Sequence, residues 1–142
     1  MSRFVLDNSV AMRWLLETGN SSDQKYAESV LTSLTEADAI VPNLWHLEAT
    51  NVLIGAEKRL DTSIGEIEGF ISQLEGLPIY VDPLTSLHSF SRTLVLARAY
   101  NLSSYDAAYL ELAVREGLPL ATLDKSLIKA AKKADVAIYL KA

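Results

Sequence analysis

Short uninterrupted apolar runs alternate along this chain with longer stretches whose apolar residues recur every three or four positions. Phe4-Val5-Leu6, Ala39-Ile40-Val41, Ile79-Tyr80-Val81, 118–122 and 136–140 read as strands buried on both faces. Helical periodicity predicts helices over 10–16, 22–35, 43–59, 62–74, 85–100, 104–116 and 124–133. Val10 and Trp14 face inward in the first helix, and Tyr26, Val30, Leu31 and Leu34 in the second, with Ser21 or Ser22 as its cap. Asn43 is the expected cap of the third helix, whose apolar face carries Leu44, Leu47, Val52 and Ile54. Ile64, Ile67, Phe70, Ile71 and Leu74 mark the fourth. Asn101 and Gly117 are expected stops, Gly117 at the position that favours a left-handed residue. Short, unalternating strands separated by helices are the pattern of an α/β protein with a doubly covered parallel sheet. Ligands in such sheets bind outside the carboxyl ends of the strands, so residues just past the strands come under scrutiny.

Acids fall there. Asp7 follows the first strand and Asp124 the fourth. Asp106 lies in the first turn of a helix, and Glu48 lies inside the third helix with Asn51 three residues on, hence on the same face. Each acid has a local explanation. Asp7 and Asp124 suit helix N-caps, Asp106 with Ser103 suits a capping box, and Glu48 suits a solvent-facing position. Taken together, four carboxylates at one sheet edge would repel each other and raise each other's pKa unless a cation joined them. Hard divalent ions such as Mg²⁺ and Mn²⁺, which prefer oxygen ligands, fit that set and suit phosphate chemistry.

Composition narrows the choice. The 142 residues make one ordinary domain, 49% apolar and 22% charged, with no cysteine and two histidines. Disulfide scaffolds, thiolate zinc sites and cysteine nucleophiles are excluded, and an imidazole-rich zinc centre is poorly supplied. No stretch reaches the roughly 18 apolar residues of a membrane helix, and the start is too short in apolar residues for a signal peptide. A cytoplasmic protein is expected. The net charge of −5 argues against coating nucleic acid by bulk attraction. Setting the four acids aside brings −5 to −1, so most of the excess belongs to a single metal pocket on this reading.

Four segments carry a resemblance. Residues 5–15 (VLDNSVAMRWL), 42–53 (PNLWHLEATNVL), 102–113 (LSSYDAAYLELA) and 117–127 (GLPLATLDKSL) resemble, in order and spacing, the four motifs of PIN-domain proteins, in particular VapC-type toxin ribonucleases. The resemblance implies a three-layer α/β/α sandwich around a parallel sheet. It implies that Asp7, Glu48, Asp106 and Asp124 bind Mg²⁺ or Mn²⁺, with Ser9, Asn51, Ser103 and Thr122 as the polar residues supporting them. Asp7, Asp106 and Asp124 would hold one ion, and Glu48 would either hold a second or orient the attacking water. It further implies an endoribonuclease toxin, a VapB-type antitoxin that blocks the pocket, and a homodimer. Asn8, Arg13 and Asp135 depart from the family pattern, which favours a small residue, Lys and Gly there. Asn8 and Arg13 are expected to lie clear of the acids, and Asp135 to affect only a turn.

Other features have two readings each. Lys125, Lys129, Lys132 and Lys133 form a stripe after Asp124, of which Lys125 and Lys129, with Arg13, are candidate RNA contacts. A solvated face explains the stripe equally. Trp14 and Trp45 fit the core better than base stacking, and His46 and His88 are not assigned to the metal. Ile64, Ile67, Phe70 and Ile71 suit either a dimer face or the core. The competing functions are a catalytically idle PIN module that binds RNA or protein, a haloacid-dehalogenase-type phosphotransferase and a receiver domain. Ser9 stands where the second of these needs a further Asp.

Overall fold

The computed structural model describes residues 2–17, 20–59 and 61–141. Strands β1 (Ser2–Leu6), β2 (Ala37–Val41), β3 (Ile79–Val81) and β4 (Leu120–Ala121) pair in parallel in the order β3-β2-β1-β4. Phe4, Val5 and Leu6 are all fully buried. Since successive strand residues point to opposite faces, both faces of the sheet are covered.

Two expected strands are shorter than the apolar runs suggest. In 118–122, Pro119 has no N–H to give, and the Leu118 N–H closes the preceding helix on Ala113 O, so only two residues enter the ladder. In 136–140, Ile138 alone bridges Leu120. Asp135 and Leu140, both at positive φ, bracket that run and break its extended path. Asp135 thus takes the left-handed turn where Gly is frequent.

Helix α1 (Asn8–Ala11) begins earlier than 10–16 and tightens into a 3₁₀ turn at Met12–Trp14. Trp14 donates Nε1–H to Ala27 O on α2 (Ser21–Ser33) at 2.8 Å. Asn20 caps α2, rather than Ser21 or Ser22: its side chain accepts from the Ser22 and Asp23 amides. Helix α3 (Trp45–Lys58) starts without a side-chain cap, and the Asn43 amide instead donates to Thr85 Oγ1. Its buried face is Trp45, Ala49, Leu53 and Ala56, whereas Leu47 is 77% exposed and Ile54 and Val52 lie open. The expected register fails because Ala49 and Ala56 share the buried face with Trp45 and Leu53, while Leu47, Val52 and Ile54 are left outside.

Helix α4 (Ile64–Glu75) is entered through a Ser63/Glu66 capping box. Ile67 and Phe70 join the core and are unavailable as a dimer face, while Ile64 and Ile71 are exposed. The single helix expected over 85–100 is α5 (Thr85–His88), a π turn at Ser89–Thr93 and α6 (Leu94–Tyr100). Asn101 ends it in the left-handed region, as expected. Helix α7 (Ser104–Glu116) is capped by Ser103 and stopped by Gly117 at φ +64°. Helix α8 (Lys125–Lys133) is capped by Asp124.

The strand order, with the right-handed crossovers that parallel strands favour, puts α1–α4 on one face of the sheet and α5–α8 on the other, and α1 touches α3 as α7 touches α8. The result is a three-layer α/β/α sandwich. Trp45 is 2% exposed and belongs to its core. No helix among the described residues is long and apolar enough to cross a membrane.

Charge is also buried in the frame. Arg115 on α7 clamps Asp82, just past β3, at 2.6 and 3.3 Å, and Glu111 at 2.8 and 3.1 Å. Both carboxylates are almost fully buried. One cation therefore ties the sheet's edge strand to α7, and without it two anions would face each other out of water. Arg115→Met is expected to lower the unfolding free energy by about 3–5 kcal/mol, measured by urea denaturation.

Candidate active site

The strand order reverses between β1 and β4, and the ligand crevice of such a sheet opens at the carboxyl ends of that pair. Asp7 and Thr122 stand there side by side. The ladder of Val5 with Leu120 and Leu6 with Ala121 continues through the Asp7 amide, which donates to Ala121 O at 3.0 Å. Asp7 is buried, and its Oδ2 accepts from Ser9 Oγ at 2.6 Å and Thr122 Oγ1 at 2.8 Å. Each hydroxyl accepts a backbone amide in turn, Leu123 N–H on Ser9 and Asp124 N–H on Thr122. The hydroxyl protons are thereby directed at Asp7. The Asp7 side chain makes no cap bond to α1 among the described residues, so its local explanation as an N-cap fails.

Asp124 does cap α8, accepting the Leu127 amide on Oδ1 at 3.0 Å. Asp106 lies half-buried in the first turn of α7, its amide held by Ser103 Oγ. Glu48, in the first turn of α3, is half-buried rather than solvent-facing. Its Oε1 accepts the Tyr109 hydroxyl at 2.5 Å and Asn8 Nδ2 at 3.4 Å. Asn8 also donates to Trp45 O at 3.0 Å and to the Tyr109 oxygen at 3.3 Å. The expectation that Asn8 stays clear of the acids is therefore corrected: it is buried beneath Glu48. Tyr109 carries no acid-motif signal, although its place one turn beyond Asp106 puts both on one face of α7.

Asp7, Glu48 and Asp106 each sense charge from within the set. Burial raises Asp7, against the lowering bonds of Ser9 and Thr122, and the charges of Glu48 and Asp124 raise it further. Burial raises Glu48, and so does the charge of Asp106. Burial, then Asp124 and Asp7, lift Asp106 from the ordinary 3.8 to about 6. Burial with Asp7 and Glu48 pushes the Tyr109 hydroxyl far up, so it remains a donor. Among the described residues no three acid or histidine side chains are gathered tightly enough to hold an ion as they stand. The donor set nevertheless fits a hard cation: all oxygen, mutually repelling, and with Asp7 oriented through one oxygen only.

The remaining candidates divide. Asn51 is exposed on α3 and makes no hydrogen bond to the four acids among the described residues. Arg13 turns toward α2, its guanidinium 3.6 Å from Asp23. Lys125, Lys129, Lys132 and Lys133 are exposed on α8.

A doubly wound parallel sheet with carboxylates at its reversal point defines an acid-centred class of α/β domain. The PIN domain family profile matches residues 4–133, and the chain belongs to the PIN domain family, whose members are in general metal-dependent nucleases. Among solved structures it is similar to PAE2754 from Pyrobaculum aerophilum, at 22% identity and a TM-score of 0.66 over 96% of this chain and 83% of that one. It is also similar to FitAcB from Neisseria gonorrhoeae, at 18% identity and a TM-score of 0.55 over 96% of each chain. At those identities the likeness is one of fold. No curated protein matches the sequence.

The raised acids have a stability consequence. Folded Asp106 keeps its proton up to about pH 6, whereas the unfolded chain releases it near 3.8. Stability from this group is present below the unfolded value and lost as pH rises through the folded one. Asp106→Asn is expected to raise the melting temperature at pH 7.5 by roughly 3 °C, about 1 kcal/mol after discounting for partial exposure. The gain should vanish near pH 4, as thermal unfolding at the two pH values would show.

Proposed function

We propose that the chain is a Mg²⁺- or Mn²⁺-dependent endoribonuclease and the toxin of a VapBC-like toxin–antitoxin module, acting in the cytoplasm. The observation that carries this reading is Asp7 at the β1/β4 reversal, fixed by two hydroxyls and sharing its electrostatic environment with Glu48, Asp106 and Asp124. Asp7, Asp106 and Asp124 would hold the ion. When bound, Mg²⁺ or Mn²⁺ polarises a phosphoryl oxygen and neutralises charge that builds on the phosphate.

The chain's own groups do the rest. Ser9 and Thr122 hold Asp7 in one orientation. Glu48 orients the water that attacks phosphorus in line. Tyr109 and Asn8 hold Glu48 through Oε1, which would leave its other oxygen for the water. The P–O3′ bond breaks, the 3′-oxygen leaves and takes up a proton, and the product carries a 5′-phosphate.

Partners follow the same reading. An antitoxin that fills the pocket would remove Glu48 and the aspartates from substrate. A homodimer would cover some of the apolar surface left open at Leu47 and Ile54 on α3 and at Leu87, Phe90 and Val95 along α5–α6.

Mixed RNA oligomers incubated with Mg²⁺ or Mn²⁺ should be cut to 5′-phosphate products, and EDTA should stop the cutting. Asp7→Asn should cost at least a hundredfold in rate, consistent with several kcal/mol of charge stabilisation. Full metal-dependent cleavage by Asp7→Asn overturns the assignment, and RNA that survives the unaltered protein indicates an idle binding module. Tyr109→Phe keeps the buried ring and loses the bond to Glu48. Its kcat should fall roughly tenfold or more with KM unchanged, in keeping with a hydrogen bond to a charged group.

A further inference from the structure

A groove of about 310 Å³ opens between the end of α6 and α8. Tyr100 and Asn101 form one wall, and Ser126, Lys129 and Lys133 the other. Ser126, Lys129 and Lys133 recur at helical spacing, so they make one continuous edge of α8. The groove's two walls adjoin, along the chain, the segments that carry two of the acids. Asn101 precedes by two residues Ser103, which caps the helix of Asp106, and Ser126 follows Asp124 by two. Along α8, Lys129 lies about 7 Å past Asp124 and Lys133 about 6 Å beyond that.

The cations here are uncommitted. Among the described residues neither Lys129 nor Lys133 has an ion-pair partner, whereas Arg3 pairs with Asp38, Arg13 with Asp23, and Arg115 with Asp82 and Glu111. In a chain with an acidic excess, two adjacent unpaired ammoniums beside a hydroxyl and an amide make a complement for anions spaced along a polymer. Tyr100 adds a half-buried ring to the wall, a surface on which a base can lie.

We infer that this α6/α8 groove is a backbone subsite for single-stranded RNA, in which Lys129 and Lys133 take phosphates on one side of the phosphodiester at the acids. The inference rests on the nuclease reading and adds direction to it: the strand leaves the crevice over α8, not past Arg13. An acidic protein segment would satisfy the same charges. RNA is favoured because the groove's walls adjoin, along the chain, the Ser103 cap of the Asp106 helix and Asp124 itself, and because its cations stand with an aromatic wall.

The test compares the unaltered protein with K129A/K133A, and with Lys58→Ala as a charge control on exposed α3 surface. Binding of a phosphorothioate RNA oligomer is followed by fluorescence anisotropy in EDTA over a range of salt, and cleavage of the plain oligomer is followed separately. The double variant should unfold at an unchanged temperature, show a KM raised about tenfold, and lose about 1.4 from the slope of log affinity against log salt, the loss for two single-strand phosphate contacts. A KM and a slope equal to those of Lys58→Ala overturn the groove even if the protein cleaves RNA. The expected slope change with no cleavage by the unaltered protein supports the groove and sinks the nuclease reading instead. If the double variant loses affinity for an Asp/Glu-rich peptide while its RNA slope and KM hold, the groove belongs to a protein partner and the RNA assignment falls.

Discussion

The site depends on one carboxylate oxygen. Asp7 Oδ2 receives the hydroxyls of Ser9 and Thr122, and those hydroxyls receive the amides that follow β4. A buried charge survives only where hydrogen bonds replace the water it lost. Here the replacement does double duty, because two of these bonds, Thr122 to Asp7 and the Leu123 amide to Ser9, tie the exit of β1 to the exit of β4. Asp106 and Asp124 are brought to the crevice by helices that cap or leave this junction, and Glu48 by the helix facing it.

The frame of this arrangement was legible in the chain. Phe4-Val5-Leu6 runs straight into an acid, and Ser103 and Gly117 bound a helix whose ends fall where local chemistry puts them. The resemblance set Thr122 among the residues that support the acids, but its bond to Asp7 emerges only in the fold, since no local rule joins residues so far apart. The register of α3 was hidden because alanine carries little hydrophobic signal yet packs closest to a sheet. Leu47, the stronger apolar residue, is left outside. The π turn at Ser89–Thr93 was hidden for a related reason: one extra residue in a helix preserves its composition while rotating every side chain beyond it.

Around the acids, motif logic found the groups that carry charge and missed those that aim it. Asn8 looked like a neutral departure and proves to sit beneath Glu48, together with Tyr109. Neither is acidic, and both are buried, so their roles depend on which side chains meet across three separate elements. Arg13 shows the converse. A cation one helical turn beyond Ser9 reads equally as a phosphate contact or a surface residue, and its guanidinium stands 3.6 Å from Asp23 on the next helix. Repulsion within the pocket and compensation in the frame also contrast. The buried carboxylates of Asp82 and Glu111 are neutralised by an arginine, whereas among the described residues the four at the crevice have no ion-pair partner, and Asp7, Glu48 and Asp106 are raised.

The order of the strands has a consequence for synthesis. The bond from Thr122 to Asp7 spans 115 residues of sequence, and β4 slots in beside the first strand of the chain. No fragment ending before Thr122 holds all the acids or both of the hydroxyls that orient the first of them. Contacts of such long range form late, because the intervening chain must first be made and ordered. By topology alone, an emerging chain therefore holds no assembled acid cluster, which comes into being only when the fold closes.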